Sequence, residues 1–127
     1  MKILVTDGRS KEGLELFAKY PEIEVDVRKK TDREELKSII NNYQAVIIRS
    51  ATKMDSEIID ILDDNFKLIG RAGIGVDNVD VSAASKKGII VMNTPSANAI
   101  TTAEHTIALL FSLVRNIPQA FASMKAK

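Results

Sequence analysis

The chain has 127 residues, 45% of them hydrophobic and 28% charged, the balance of one globular domain with a core of its own. Eighteen basic against seventeen acidic residues leave a net charge of +1, a field too weak to argue for nucleic acid or an anionic membrane as partner. Cysteine is absent and His105 is the sole histidine, which excludes disulfides, thiolate metal sites and histidine-rich metal centres.

Met1-Lys2 leads straight into Ile3-Leu4-Val5, without the apolar region and cleavage site of a signal peptide. The most apolar stretch, Ile107 to Val114, is too short for a membrane span, so a cytoplasmic protein is expected. Along the chain, short apolar runs alternate with segments of helical periodicity. The runs are Ile3–Val5, Ile23–Val27, Ala45–Ile48, Leu68-Ile69 and Ile89–Met92. Most are uninterrupted, as in strands buried on both faces of a parallel sheet, whereas Ile23-Glu24-Val25-Asp26-Val27 alternates and suits an edge strand.

Helix starts lie between the runs. Ser10 precedes Leu14, Leu16 and Phe17, and Thr31-Asp32-Arg33-Glu34 has capping-box spacing before Leu36, Ile39 and Ile40. Asp55 can cap a helix with Ile58, Ile59 and Leu62, and Asp80 one with Val81 and Ala84 that ends at Gly88. Thr101-Thr102-Ala103-Glu104 is a second capping box, opening the longest predicted helix, Thr101 to Arg115. Five β-α repeats with short connections predict an α/β, flavodoxin-like, doubly wound parallel sheet of strand order 2-1-3-4-5. In the last helix Ala103, Ile107, Leu110, Phe111 and Val114 make a stripe that Ala108, Leu109 and Leu113 extend around the cylinder. Such a helix is either a central core helix or an interface with another domain or subunit.

In open α/β sheets ligands bind beyond the carboxyl ends of the strands. Those ends carry Thr6-Asp7-Gly8, Arg49-Ser50-Ala51-Thr52, Arg71-Ala72-Gly73-Ile74-Gly75 and Asn93-Thr94-Pro95. Two guanidinium forks, each directly after a strand, together with hydroxyls and glycine backbone, predict a site for a small, doubly anionic molecule. Gly70-Arg71-Ala72-Gly73-Ile74-Gly75 has the spacing G-x-x-G-x-G, the reverse of the dinucleotide fingerprint, and neither G-x-G-x-x-G nor a P-loop occurs. No catalytic residue and no metal ligand is assigned. His105, beside Glu104, reads as structural, and Asp77 and Asp80, near Asn78, as loop-stabilising and capping carboxylates.

Three stretches, Ile48–Thr52, Gly70–Asp80 and Val91–Pro95, together with Asn98–His105 and Arg115–Ala120, resemble the D-isomer-specific 2-hydroxyacid dehydrogenases across essentially the whole chain. The arginine and following glycines after the fourth strand are most similar to the branch acting on phosphoglycerate. The resemblance implies oxidation of 3-phospho-D-glycerate to 3-phosphohydroxypyruvate with NAD as cofactor, the first step of serine synthesis. It places Arg49, Ser50, Arg71, Gly73 and Asn93 around the substrate anion and Ile74 against the nicotinamide end of NAD. It also divides the chain into a substrate domain, 1–98, and the hinge and first helix of a cofactor domain, 99–127, the alternative being a fifth helix of a single domain; the apolarity of the 101–115 helix leads us to expect a homodimer formed through it. The family's NAD loop and acid–base residues map onto no position here. The expectation is therefore a piece of a longer enzyme, inactive by itself; the alternative is a free-standing flavodoxin-like anion-binding or self-association module.

Overall fold

A computed structural model describes residues 1–8, 11–29 and 31–126. Five parallel strands, β1 (Lys2–Val5), β2 (Glu24–Val27), β3 (Ala45–Ile48), β4 (Leu68–Arg71) and β5 (Ile90–Asn93), form one sheet in the order β2-β1-β3-β4-β5, as predicted. Helices α1 (Lys11–Phe17), α2 (Arg33–Ile39), α3 (Ser56–Asp60) and α4 (Val81–Lys86) connect them, with a 3-10 turn at Ile40–Asn42. These elements belong to one compact unit, Met1–Pro95; a second, Ser96–Lys127, holds α5 (Ala99–Val114) and α6 (Ile117–Lys125).

The core of the first unit follows from the pleat, which sends successive side chains to opposite faces. Leu4 of β1, Val46 and Ile48 of β3, Ile69 of β4 and Val91 of β5 share one face. There they join Leu36 and Ile40, Ile58 and Ile59, and Ala84 from the segments that cross that face. β2 is an edge strand, as its alternation predicts, and none of its residues is fully buried.

β5 departs from expectation. Its apolar run predicts burial on both faces, yet Ile90 and Met92 are 58% and 56% exposed. It is the other edge of the sheet, and the pleat turns Ile90 and Met92 away from the face that buries Val91.

Helix boundaries also sharpen. α2 is capped by Asp32, not Thr31: the Asp32 carboxylate accepts from the Glu35 N–H at 2.8 Å, and the helix starts one residue later than the capping-box reading places it. Asp55 and Asp80 cap α3 and α4 as predicted, accepting from the Ile58 and Ala83 N–H groups. Gly88 takes the left-handed conformation (φ 69°) expected beyond the end of α4. Ser10, the predicted start of the first helix, lies outside the described residues.

α5 starts at Ala99, two residues before the predicted Thr101. The Thr102 N–H already donates to the Asn98 carbonyl, so the capping-box residues sit inside the helix, and the Thr106 hydroxyl bonds back to the Thr102 carbonyl. α6 has no counterpart among the predicted elements. It follows Asn116, whose left-handed φ of 50° ends one helix, and Pro118 in its first turn suits the start of the next. Among the described residues no single helix is long and apolar enough to cross a membrane.

Candidate functional site

The site is built where β1, β3, β4 and β5 end. Beyond β1, the Thr6 N–H continues the ladder to the Ile47 carbonyl at 3.1 Å and the Thr6 side chain is fully buried. A buried hydroxyl needs a partner, and Thr6 Oγ1 lies 2.8 Å from Thr52 Oγ1. The Thr52 hydroxyl gives its own proton to Asp7 Oδ1 at 2.6 Å, which leaves Thr6 as the donor to Thr52.

Asp7 also accepts through Oδ2 from two backbone amides, Arg49 N–H at 2.9 Å and Thr52 N–H at 2.8 Å. Burial acts to raise this carboxyl, but the bonds from the Thr52 hydroxyl, the Thr52 amide and the Arg49 amide outweigh it. They hold Asp7 below its ordinary value of 3.8. From the other side, Asn78 Nδ2 donates to the carbonyls of Arg49 and Thr52, each at 2.6 Å. The backbone amides and carbonyls at both ends of the Arg49–Thr52 loop are thus taken by two side chains from distant parts of the chain.

What the loop leaves over faces outward. Arg49, Ser50 and Ala51, with Lys29 and Asp7, line an open depression of about 470 Å³. The N–H groups of Ser50 and Ala51 have no partner among the described residues, and the Arg49 side chain forms no ion pair among them. Two basic side chains, a hydroxyl and two amide donors around one depression suit an oxyanion.

Arg71 sits differently from the sequence expectation. It does not follow its strand, as Arg49 does, but is the last residue of β4, paired in register with Ile48 on one side and Asn93 on the other. It therefore lies one rung below Arg49, and the two guanidinium groups are not equivalent. The reason is the ladder: the Ala72 N–H donates to the Ile48 carbonyl at 2.8 Å, so pairing runs through Arg71. Arg71 forms no ion pair among the described residues, and its buried Nε has no partner among them.

The Arg71 guanidinium folds over Gly73, where an added Cβ would fall 1.5 Å from Nη1, so a side chain at 73 would have to displace it. The loop beyond is tied to β5: Asn93 Nδ2 donates to the Ile74 carbonyl at 2.6 Å, and the Thr94 N–H to the Gly73 carbonyl at 2.9 Å. Of the residues singled out by sequence, Arg49 and Ser50 line the depression. Arg71, Gly73, Ile74 and Asn93 form a second group on the next two strand ends.

Asp7, Lys29 and Asn78 were not among the predicted site residues. Asp7 and Lys29 have one sequence signal in common, a place just beyond a strand.

The described residues do not offer a pyrophosphate site for NAD. The glycine run after β4 leads to α4, whose N-terminus is already capped by the Asp80 carboxylate, at 2.9 Å from the Ala83 N–H. A pyrophosphate there would meet a negative charge instead of free amides. Nor do the described residues hold a cluster of three His, Cys, Asp or Glu suited to a metal ion.

A sheet of order 2-1-3-4-5, with two arginines at its carboxyl ends that form no ion pair among the described residues, defines an α/β protein with a candidate site for a small anion. The model of the D-isomer specific 2-hydroxyacid dehydrogenase catalytic domain matches residues 3–127, and the chain belongs to that family. It is 46% identical over 98% of its length to a D-3-phosphoglycerate dehydrogenase of Archaeoglobus fulgidus, and 40% identical over 99% to one of Bacillus subtilis. It spans 23% of the length of each of these relatives.

Among solved structures, a Pyrococcus horikoshii protein superposes with a TM-score of 0.83 at 29% identity, over 98% of this chain and 37% of that one. An NAD+-bound 3-phosphoglycerate dehydrogenase of Entamoeba histolytica superposes with a TM-score of 0.72 at 32% identity, over 88% and 38%.

Proposed function

We propose that this chain forms the substrate-holding part of an NAD-dependent D-3-phosphoglycerate dehydrogenase, working in the cytoplasm in the synthesis of serine. Its substrate is 3-phospho-D-glycerate, which carries a phosphate and a carboxylate at opposite ends. Arg49 and Arg71 each present a planar fork matched to such groups. Ser50 adds donors at close range, Gly73 leaves room for the Arg71 guanidinium, and Asn93 holds the backbone beyond Gly73 through the Ile74 carbonyl. Ile74 marks the side from which the nicotinamide of NAD approaches. Bound NAD would accept the hydride; the work of the residues named here is to bind and orient the anion.

The observation that carries this reading is the pair of arginines without acid partners at adjoining strand ends. The chain that carries them is 46% identical to a D-3-phosphoglycerate dehydrogenase. In this reading residues 1–98 are the substrate domain and 99–127 the hinge and first helix of a cofactor domain. The apolar, exposed side chains of α5, Ile107, Leu110 and Phe111 among them, support a homodimer through the 101–115 helix.

The test is a titration of the chain with 3-phosphoglycerate followed by amide chemical shifts. Arg49→Ala and Arg71→Ala should each weaken binding by about tenfold or more, the worth of a charge-assisted hydrogen bond. An unchanged titration removes that arginine from the site. The 127-residue chain should show no NAD-dependent oxidation of phosphoglycerate, and clear turnover would contradict the division of labour proposed here.

A further inference from the structure

Asp7 presents a paradox if the depression beside Arg49 receives an anion. A carboxylate on the rim of such a site repels the ligand, and this one is held ionised, below its ordinary value. Three hydrogen bonds from Arg49 and Thr52 reach its two oxygens, from two amides and a hydroxyl, at 2.6 to 2.9 Å. Asn78 supplies the converse, two N–H bonds to the two carbonyls of the same residues. One side chain therefore takes the donors of the loop's two end residues and the other takes their acceptors.

The brace extends sideways. Asn78 stands in the β4–α4 connection, the segment that also carries Gly73 and Ile74, and the Asn93 amide ties the Ile74 carbonyl to β5. Asp7 comes from the end of β1. One carboxylate and two amides thus join the ends of β1, β3, β4 and β5 laterally, and the Arg49 loop and the Arg71 strand share one frame.

We propose that Asp7 and Asn78 are positioning residues of the anion site: they fix the shape of the Arg49–Thr52 loop and the spacing of Arg49 from Arg71. The ligand is a small molecule with two anionic groups, so the inference rests on the substrate reading above. It makes a prediction opposite in sign to simple electrostatics. Removing the negative charge of Asp7 should tighten anion binding if charge alone mattered, whichever residue replaced it. If shape decides, the outcome depends on what replaces it. Asp7→Asn keeps an oxygen for the two amides, and its nitrogen can donate to Thr52 Oγ1 if the Thr6–Thr52 hydroxyl pair reverses direction. Asp7→Ala keeps nothing.

The experiment titrates the full chain and its variants with 3-phosphoglycerate and with inorganic phosphate, and measures amide hydrogen exchange on the same samples. Asn78→Ala, which changes no charge, should weaken phosphoglycerate binding about tenfold. Asp7→Ala should do the same and speed exchange of the Arg49 and Thr52 amides while the β3 amides stay protected. Asp7→Asn should bind at least as tightly as the unaltered chain. Ile69→Val, a core change of comparable destabilisation, should leave affinity unchanged, which separates positioning from loss of stability.

Tighter or unchanged binding by Asp7→Ala, weakening by Asp7→Asn as deep as by Asp7→Ala, or unchanged binding by Asn78→Ala overturns the inference. If Asp7→Ala does not fold, Asn78→Ala and Asp7→Asn decide it. An unaltered chain that takes up neither ligand overturns the substrate reading and this inference together. Binding that stays unweakened in Asn78→Ala and Asp7→Ala overturns this inference alone.

Discussion

Between Met1 and Pro95 the chain buries Leu4, Val46, Ile48 and Ile69 of its strands completely, with Ile58 and Ile59 of α3. Between Ser96 and Lys127, α5 and α6 are rich in leucine, isoleucine and phenylalanine, yet no described residue of either helix is buried. The second unit is the more apolar in composition, yet it is the first that buries its apolar side chains. A sheet offers a whole face for crossing segments to cover, whereas two helices meeting at 63° can hide only a narrow seam between them. The sheet unit therefore carries a core of its own, and the helical unit leaves its apolar side chains exposed.

That contrast can be broken at either end. Ile69→Ala empties part of the sheet core and should cost about 2–5 kcal/mol, seen as a large fall in the denaturant midpoint. A change below about 1 kcal/mol would mean that the core is looser than its burial implies. Acid should act next, through the hydrogen-bonded Asp7. Its folded pKa is depressed, so its contribution is full above the ordinary 3.8 and fades as pH falls below that value towards the folded pKa. Asp7→Asn should flatten the acid limb of a stability–pH curve; an unaltered slope would remove Asp7 from it.

Asp80→Ala deletes a cap and should cost about 1 kcal/mol in thermal or denaturant unfolding. Leu113→Ala in α5, a residue 74% exposed, should shift unfolding by less than about 0.5 kcal/mol. A larger effect in dilute solution would show that this side chain is covered, and sedimentation of the same variant would tell whether a second copy covers it.

Much of this molecule is legible in its sequence because the signals are local. The strand order follows from β-α alternation, β2 as an edge from the alternation of Ile23–Val27, and Asp55, Asp80 and Gly88 from capping rules. Where two residues compete for one role, pattern alone misplaces the boundary. Thr31 fits the capping-box template, but Asp32 has the extended backbone and a carboxylate that reaches the Glu35 amide. Thr101 fits it too, inside a helix that has already begun.

The site divides in the same way. Arg49, Ser50, Arg71, Gly73 and Asn93 are visible as strand-end residues. The brace is not, because Asp7 bonds residues 42 and 45 positions away and Asn78 residues 29 and 26 away. No local spacing encodes such pairs; they exist only once parallel strands bring their ends together. The rung occupied by Arg71 is likewise a matter of register, fixed by pairing with Ile48 and Asn93 and invisible in an apolar run that stops at Ile69.

If the strand ends recognise both anionic groups of phosphoglycerate, each group must add to the affinity. The most direct measurement compares the affinity of the full chain for 3-phosphoglycerate with that for glycerate, which lacks the phosphate, at two salt concentrations. The phosphate should strengthen binding by at least about tenfold, and the difference should shrink as salt rises. Equal affinities for the two acids, or a difference indifferent to salt, would contradict that recognition.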